Sequence, residues 1–244
     1  RGIAYHAVSR GELDIADQHQ VERLLEDLRP WAVINAAGYV RVDDAENEPD
    51  ACLRTNALGP EVLAQICAGS GTALLSFSSD LVFNGEKSTP YCEDDSPDPL
   101  NTYGVSKAVG EARVLEAHPR ALIVRTSAFF GPWDEANFLS HALHTISAGQ
   151  EFFAASDVLI SPTYVPDLVH ASLDLLVDSE HGIWHLANQG EVTWFDFASQ
   201  FAREAGLDNG YLRGMPMEEF GLPAPRPHYS VLGSQRGLLL PPLE

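Results

Sequence analysis

Apolar residues fall along this chain in two kinds of run. Trp31 to Ala37 (WAVINAA), Thr72 to Ser78 (TALLSFS) and Ala121 to Thr126 (ALIVRT) are short and almost continuously apolar. That is the pattern of strands buried on both faces of a parallel sheet. Between them apolar positions recur at helical spacing. Val21, Leu24, Leu25 and Leu28 follow Asp17 and stop before Pro30; one helix is predicted over 50–67, and another from about Leu100 to Ala117. Arg1 to Ser9 reads as a further short strand, without signal- or transit-peptide character. Alternating strands and helices with short connections predict right-handed βαβ units and a doubly wound parallel sheet.

Past Gly131-Pro132 the rhythm changes. Asn137 to Ala148 and Asp167 to Val177 read as helices, Gly182 to Asn188 as a strand, and Thr193 as the N-cap of a helix reaching about Ala205. Phe195, Phe197, Ala198 and Phe201 on that last helix read as packing. The rest of the chain is rich in Pro and Gly, and is expected to be ordered only where it packs on the remainder.

Composition narrows the function classes. The 244 residues carry a formal charge of −20, the sign that repels nucleic acid and anionic membrane. No stretch approaches the roughly 20 apolar residues of a membrane span. Cys52, Cys67 and Cys92 contain no CxxC pair, so a disulfide framework or thiolate zinc site is not expected and a reducing cytoplasm is the default. No metal is expected. His141 and His144 lack a well-placed carboxylate, and the acidic runs 43–50 and 93–98 lack calcium-loop spacing, reading as solvated faces and turn caps. His181 and His185 read as packing.

Only Lys87 and Lys107 are lysines, and Lys107 closes the run Tyr103-Gly-Val-Ser-Lys107 at the start of a predicted helix. A spacing of i and i+4 puts phenol and ammonium on one helix face. A nearby ammonium lowers a phenol's pKa toward working pH and makes it a usable general acid or base. Chance supplies about 0.06 such pairs in a chain of this composition. An exposed pair with no chemistry is the competing reading. Ser78-Ser79-Asp80 and Asn35-Ala36-Ala37-Gly38 each end a predicted strand, at the sheet edge where ligands bind in open α/β folds. For Ser78 a plain strand-ending role is favoured.

The runs V-I-N-A-A (33–37), V-D-D-A-E (42–46), R-T-N-A (54–57), S-S-D-L-V-F-N-G (78–85), Y-G-V-S-K (103–107), R-T-S (125–127) and S-P-T (161–163) resemble the extended short-chain dehydrogenase/reductases. Among these the chain looks most like the dTDP-4-dehydrorhamnose reductase (sugar-nucleotide reductase) family, from about Ala7 to Arg226. The resemblance implies a Rossmann-like α/β fold, with a dinucleotide-binding domain over 1–130 and a mainly substrate-binding region over 131–244. It implies NADP or NAD as cofactor and a nucleotide-sugar substrate, with a homodimer as one mode of assembly. Tyr103 becomes the catalytic acid, Lys107 its support and a ribose ligand, and Ser79 the group that orients the substrate carbonyl. Asn35, Ala36, Ala37 and Asn56 would lie along the cofactor, and Asp80 and Val82 against the sugar nucleotide. Ser9 and Arg10 would end the second strand near the adenosine ribose, where an arginine accommodates a 2′-phosphate; a solvated surface arginine is the alternative.

Two departures stand out. Ala128 occupies the position where the family usually has a sugar-stacking tryptophan. The family's first strand and GxxGxxG turn have no counterpart from Arg1 onward, so the chain is expected to lack an N-terminal segment of its parent; Gly69-Ser70-Gly71 reads instead as a helix C-cap. Two other functions stay open on sequence: a dinucleotide-binding regulatory subunit without catalysis, and a nucleotide-sugar epimerase.

Overall fold

The computed structural model describes residues 2–135 and 137–243. Helix α1 (Gln18–Leu28) starts where Asp17 accepts the amide of Gln20 at 3.1 Å, and ends at Arg29 in the left-handed region (φ 43) just before Pro30. There follow β1 (Ala32–Asn35), α2 (Val42–Ala45), α3 (Pro49–Leu53), a π turn (Arg54–Leu58), α4 (Gly59–Ser70) and β2 (Ala73–Ser79). A 3-10 turn (Asp80–Val82) leads through a long loop to α5 (Thr102–Ala117), β3 (Leu122–Thr126) and β4 (Phe129–Phe130). Then come α6 (Phe138–Ser147), β5 (Phe152–Ala155), β6 (Leu159–Ile160), β7 (Thr163–Tyr164), α7 (Val165–Val177), β8 (Gly182–His185), β9 (Val192–Thr193), α8 (Trp194–Glu204) and β10 (Leu212–Met215).

Strands β1, β2, β3 and β8 form a parallel sheet in that order. Period-two alternation sends neighbours to opposite faces. Leu74 and Ile123 pack with Val21 of α1, Leu63 and Cys67 of α4, and Val114 of α5. Leu75, Leu122 and Val124 pack with Leu168, Leu175 and Leu176 of α7. Helices therefore cover both faces, the doubly wound arrangement expected from the sequence. Because the strands are parallel, their C-terminal ends share one edge, and Asn35, Ser79, Thr126 and His185 stand along it. A second group of elements, α6 and α8 with β5 and β10, closes around Ile146, Phe152, Ala198 and Leu212. There Phe130 meets Phe197 and Phe201 edge-on, so the aromatic stripe of α8 is packing as read.

Several expectations change. Residues 2–9 are exposed and form no strand, since no described strand lies beside them to take their backbone hydrogen bonds; Arg1 lies outside the described residues. Nor is the Trp31–Ala37 run buried on both faces: Trp31 and Ile34 are 53% and 47% exposed, because β1 pairs only with β2 among the described residues. The single helix expected over 50–67 is broken by the π turn. The acidic runs are not simple solvated faces. Asp43 grips Arg226 through two contacts of 2.5 and 2.6 Å, and Glu93 accepts from Ser234 and Gln235, so both fasten the C-terminal segment. That segment packs through Tyr229, Val231, Leu232 and Leu240. No helix among the described residues is long and apolar enough to cross a membrane.

Candidate active site

Helix α5 places the central pair. Asn101 caps it by accepting the Gly104 amide at 2.8 Å, which sets Tyr103 in the first turn and Lys107 one turn on. Two glycines let the helix lie unusually close to its neighbours. A Cβ on Gly104 would sit 2.1 Å from the Leu81 carbonyl oxygen, and one on Gly110 2.2 Å from that of Asn56. The close approach sets the Tyr103 phenol beside the Ser79 hydroxyl. The three residues singled out for chemistry thus converge at the C-terminal edge of the sheet.

The electrostatics differ from the sequence expectation. Burial, with the nearby Asp80 charge, pushes the Tyr103 phenol up rather than down, although the Ser79 hydrogen bond acts in the opposite sense. The nearby Lys107 charge does not cancel this rise. The Lys107 Nζ donates to the Phe77 carbonyl at 3.2 Å and stands 5.8 Å from the centre of the Tyr103 ring. Burial pushes the Lys107 ammonium down to about 8. Tyr103 is therefore protonated at neutral pH in this state, the form needed for proton donation.

Asn56 and Asn35 shape the neighbouring loop. Asn56, buried on the π turn, accepts the Tyr39 amide at 2.8 Å and donates to the Tyr39 carbonyl at 3.1 Å and the Ser106 hydroxyl at 2.9 Å. π turns of this kind occur frequently at functional sites. Asn35 donates to Ser76 at 3.1 Å and accepts the Ala37 amide at 3.1 Å, an Asx turn that leaves Ala36 and Ala37 exposed at the sheet edge. Gly38 runs beside Lys107, whose Nζ would be 3.4 Å from a Cβ placed there. Ser9 and Arg10 are exposed in a turn that Ser9 closes on Glu12, with contacts of 2.8 and 2.6 Å. Asp80 and Val82 are both buried; Val82 packs with Phe83 and Tyr91, and the Asp80 carboxylate accepts from Ser79, Ser127 and Ser230.

Beneath this lies a network that the sequence reading missed. Arg125 of β3 and Glu111 of α5 form a buried bidentate pair, and Ser78 donates to the same carboxylate at 2.5 Å. Arg125 also reaches His185, whose Nδ1 faces the Tyr91 and Gly233 carbonyls at 3.0 and 2.9 Å. Burial and the Arg125 charge hold His185 below the usual histidine range, so it is neutral and structural. A single arginine within the apolar run ALIVRT was the available signal, since a buried guanidinium requires an anion. Among the described residues no cluster of His, Cys, Asp and Glu is arranged to hold a metal.

Comparison with known proteins places the chain in a family. Residues 1–238 match the RmlD substrate binding domain. The dTDP-4-dehydrorhamnose reductase of Mycolicibacterium smegmatis is 37% identical over 97% of this chain and 72% of its own length. The dTDP-4-keto-6-deoxy-D-glucose reductase of Streptomyces niveus is 32% identical over 93% of this chain and 79% of its own. The crystal structure of dTDP-4-dehydrorhamnose reductase from Bacillus anthracis, in complex with NADP, superposes with a TM-score of 0.92 at 34% identity, covering 96% of this chain and 84% of that one. The chain therefore belongs to the RmlD substrate binding domain family, the dTDP-4-dehydrorhamnose reductase-like group of NAD(P)-dependent oxidoreductases.

Proposed function

We propose that this protein reduces the 4-keto group of a nucleotide sugar, such as dTDP-4-dehydrorhamnose, with NADPH or NADH. The observation that carries the reading is the meeting of Tyr103, Lys107 and Ser79 at one sheet edge, in a chain whose relatives reduce such sugars. The residues fit a dinucleotide. Ala36 and Ala37 offer small exposed side chains beside Gly38, and the Lys107 ammonium has three donors, of which the Phe77 carbonyl uses one. When bound, the reduced nicotinamide supplies a hydride to the carbonyl carbon. Tyr103 gives its proton to the developing alkoxide, Ser79 orients the carbonyl oxygen, and the Lys107 ammonium stabilises the phenolate left behind. Re-protonation from solvent restores the phenol.

Residues 131–244 take the larger share of the substrate, and the turn 80–82 carries Asp80 and Val82 to the sugar side of the site. Ala128 there has φ 41, a backbone setting costly for a non-glycine residue, and its small side chain leaves room beside the sugar. The free thiols of Cys52, Cys67 and Cys92 suit a cytoplasmic enzyme, and a nucleotide-sugar reductase of this kind can act as a homodimer. The test is to mix the full-length protein with NADPH and dTDP-4-keto-6-deoxy sugars and follow loss of NADPH absorbance. Turnover is expected; tight NADPH binding without turnover would favour a regulatory subunit, and bound NAD released on denaturation an epimerase.

A further inference from the structure

Residues 224–226 of the C-terminal segment are bound to the start of α5. Asp43 of α2 takes two nitrogens of the Arg226 guanidinium at 2.5 and 2.6 Å and the Ala224 amide at 3.2 Å, so one carboxylate grips this tripeptide at both ends. Pro225, between them, offers its carbonyl to the Asn101 side-chain amide at 2.8 Å. Asn101 is the N-cap of α5, and its Oδ1 accepts the Gly104 amide at 2.8 Å, closing the turn that carries Tyr103. Both Asn101 and Ala224 are buried. An asparagine side chain has one accepting and one donating end. The Pro225 carbonyl takes the donating end, and so turns the oxygen toward the helix. Glu46, just past α2, accepts the Thr102 amide and hydroxyl at 2.8 and 3.0 Å. The α2 region therefore reaches the first turn of α5 twice, directly through Glu46 and indirectly through Asp43, Arg226, Pro225 and Asn101.

We infer that Asp43 and Arg226 are positioning residues for Tyr103: their ion pair holds Pro225 against Asn101, and so fixes the helical turn that carries the phenol. The inference rests on the reductase reading above. It ties the two halves of the chain together at the residue that must meet both ligands, since α2 follows the 35–38 turn and the C-terminal segment runs on to Ser230 beside Asp80. A role in holding the fold alone would look different. The Arg226 and Asp43 side chains are 16% and 34% exposed, and ion pairs open to solvent stabilise little. The C-terminal segment also has apolar anchors of its own in Tyr229, Val231 and Leu232. Loss of the pair should therefore cost little stability, whereas a small displacement of a proton donor costs rate.

Two measurements on the full-length protein decide this, with Arg226→Met, Asn101→Ala and the pair, each checked for folding by its melting temperature. Arg226→Met is expected to speed amide hydrogen exchange in residues 102–107 by about tenfold, the factor that loss of a helix cap is worth. At saturating NADPH and nucleotide sugar it is expected to lower kcat by about tenfold. In the Asn101→Ala background the same change is expected to lower kcat by less than about twofold, because the cap through which it acts is gone. Unchanged exchange overturns the inference, as do an unchanged kcat or equal losses of kcat in both backgrounds. If Arg226→Met fails to fold, Arg226→Lys keeps the charge but not the paired contacts, and runs the same cycle with the same outcomes. A parent that turns over no 4-keto nucleotide sugar sinks the reductase reading, and exchange still shows whether the pair holds the start of α5.

Discussion

Arg125 and Glu111 meet under the candidate site in two parallel hydrogen bonds of 2.8 and 2.6 Å, with side chains only 1% and 5% exposed. The pair joins β3 to α5, so it helps fix the height of the helix that carries Tyr103 and Lys107. Glu111→Gln leaves the Arg125 guanidinium buried without a counter-charge and is expected to cost about 3–5 kcal/mol. Replacing both partners with apolar residues, Arg125→Met with Glu111→Leu, is expected to cost less than either single change. Urea titration of the three variants measures this, and a double variant less stable than both singles would refute it.

Gly110 offers a test whose sign is informative. At an exposed helix position, Gly→Ala stabilises by about 1 kcal/mol. Here the new methyl would meet the Asn56 carbonyl oxygen at 2.2 Å, a backbone atom with no rotamer to change. Gly110→Ala is therefore expected to destabilise by about 1–3 kcal/mol, the usual range for overpacking. Since Asn56 holds the Tyr39 backbone, loss of cofactor affinity should accompany the loss of stability. A stabilised variant would show that α5 and the π turn are not in close contact.

Tyr103→Phe removes the proposed proton donor while keeping the ring. Loss of general acid catalysis is expected to lower kcat by about 10²–10⁴-fold. Binding of the nucleotide sugar and of NADPH, followed by calorimetry, should change little. Retained turnover in this variant would sink the proposed mechanism.

The layout of the sheet was legible because parallel strands buried by helices on both sides produce continuous apolar runs, and ALIVRT became β3 with all five of its strand residues buried. The pairing of Tyr103 with Lys107 was legible because YxxxK needs only one helix to bring its members together. What escaped was set by contacts distant in sequence. The π turn at Arg54–Leu58 has no apolar periodicity of its own to announce it, and it exists where Gly110, more than fifty positions away, lets α5 come close. The downward shift of Lys107 escaped for a similar reason: helical spacing gives the distance to Tyr103, but not the carbonyl of Phe77 or the dry surroundings that set the charge. Asp80 and its three serines lie on segments up to 150 residues apart, and only the folded chain joins them.

Lys107 makes the site sensitive to alkali. Burial pushes its ammonium from 10.5 down to about 8, while the unfolded chain keeps the higher value. Between these limits the unfolded state binds more protons, so stability should rise with pH through this window, relative to Lys107→Met, and the advantage should vanish as pH falls below about 8. Activity should move the other way. Only the charged form can stabilise the Tyr103 phenolate, so kcat/KM, which reports the free enzyme, is expected to fall above an apparent pKa near 8. Lys107→Arg keeps a cation whose pKa exceeds about 12, and the alkaline limb should disappear even if the maximal rate drops. A wild-type profile that stays flat well past that pH, or a Lys107→Arg profile with the same limb, would assign the titration to another group.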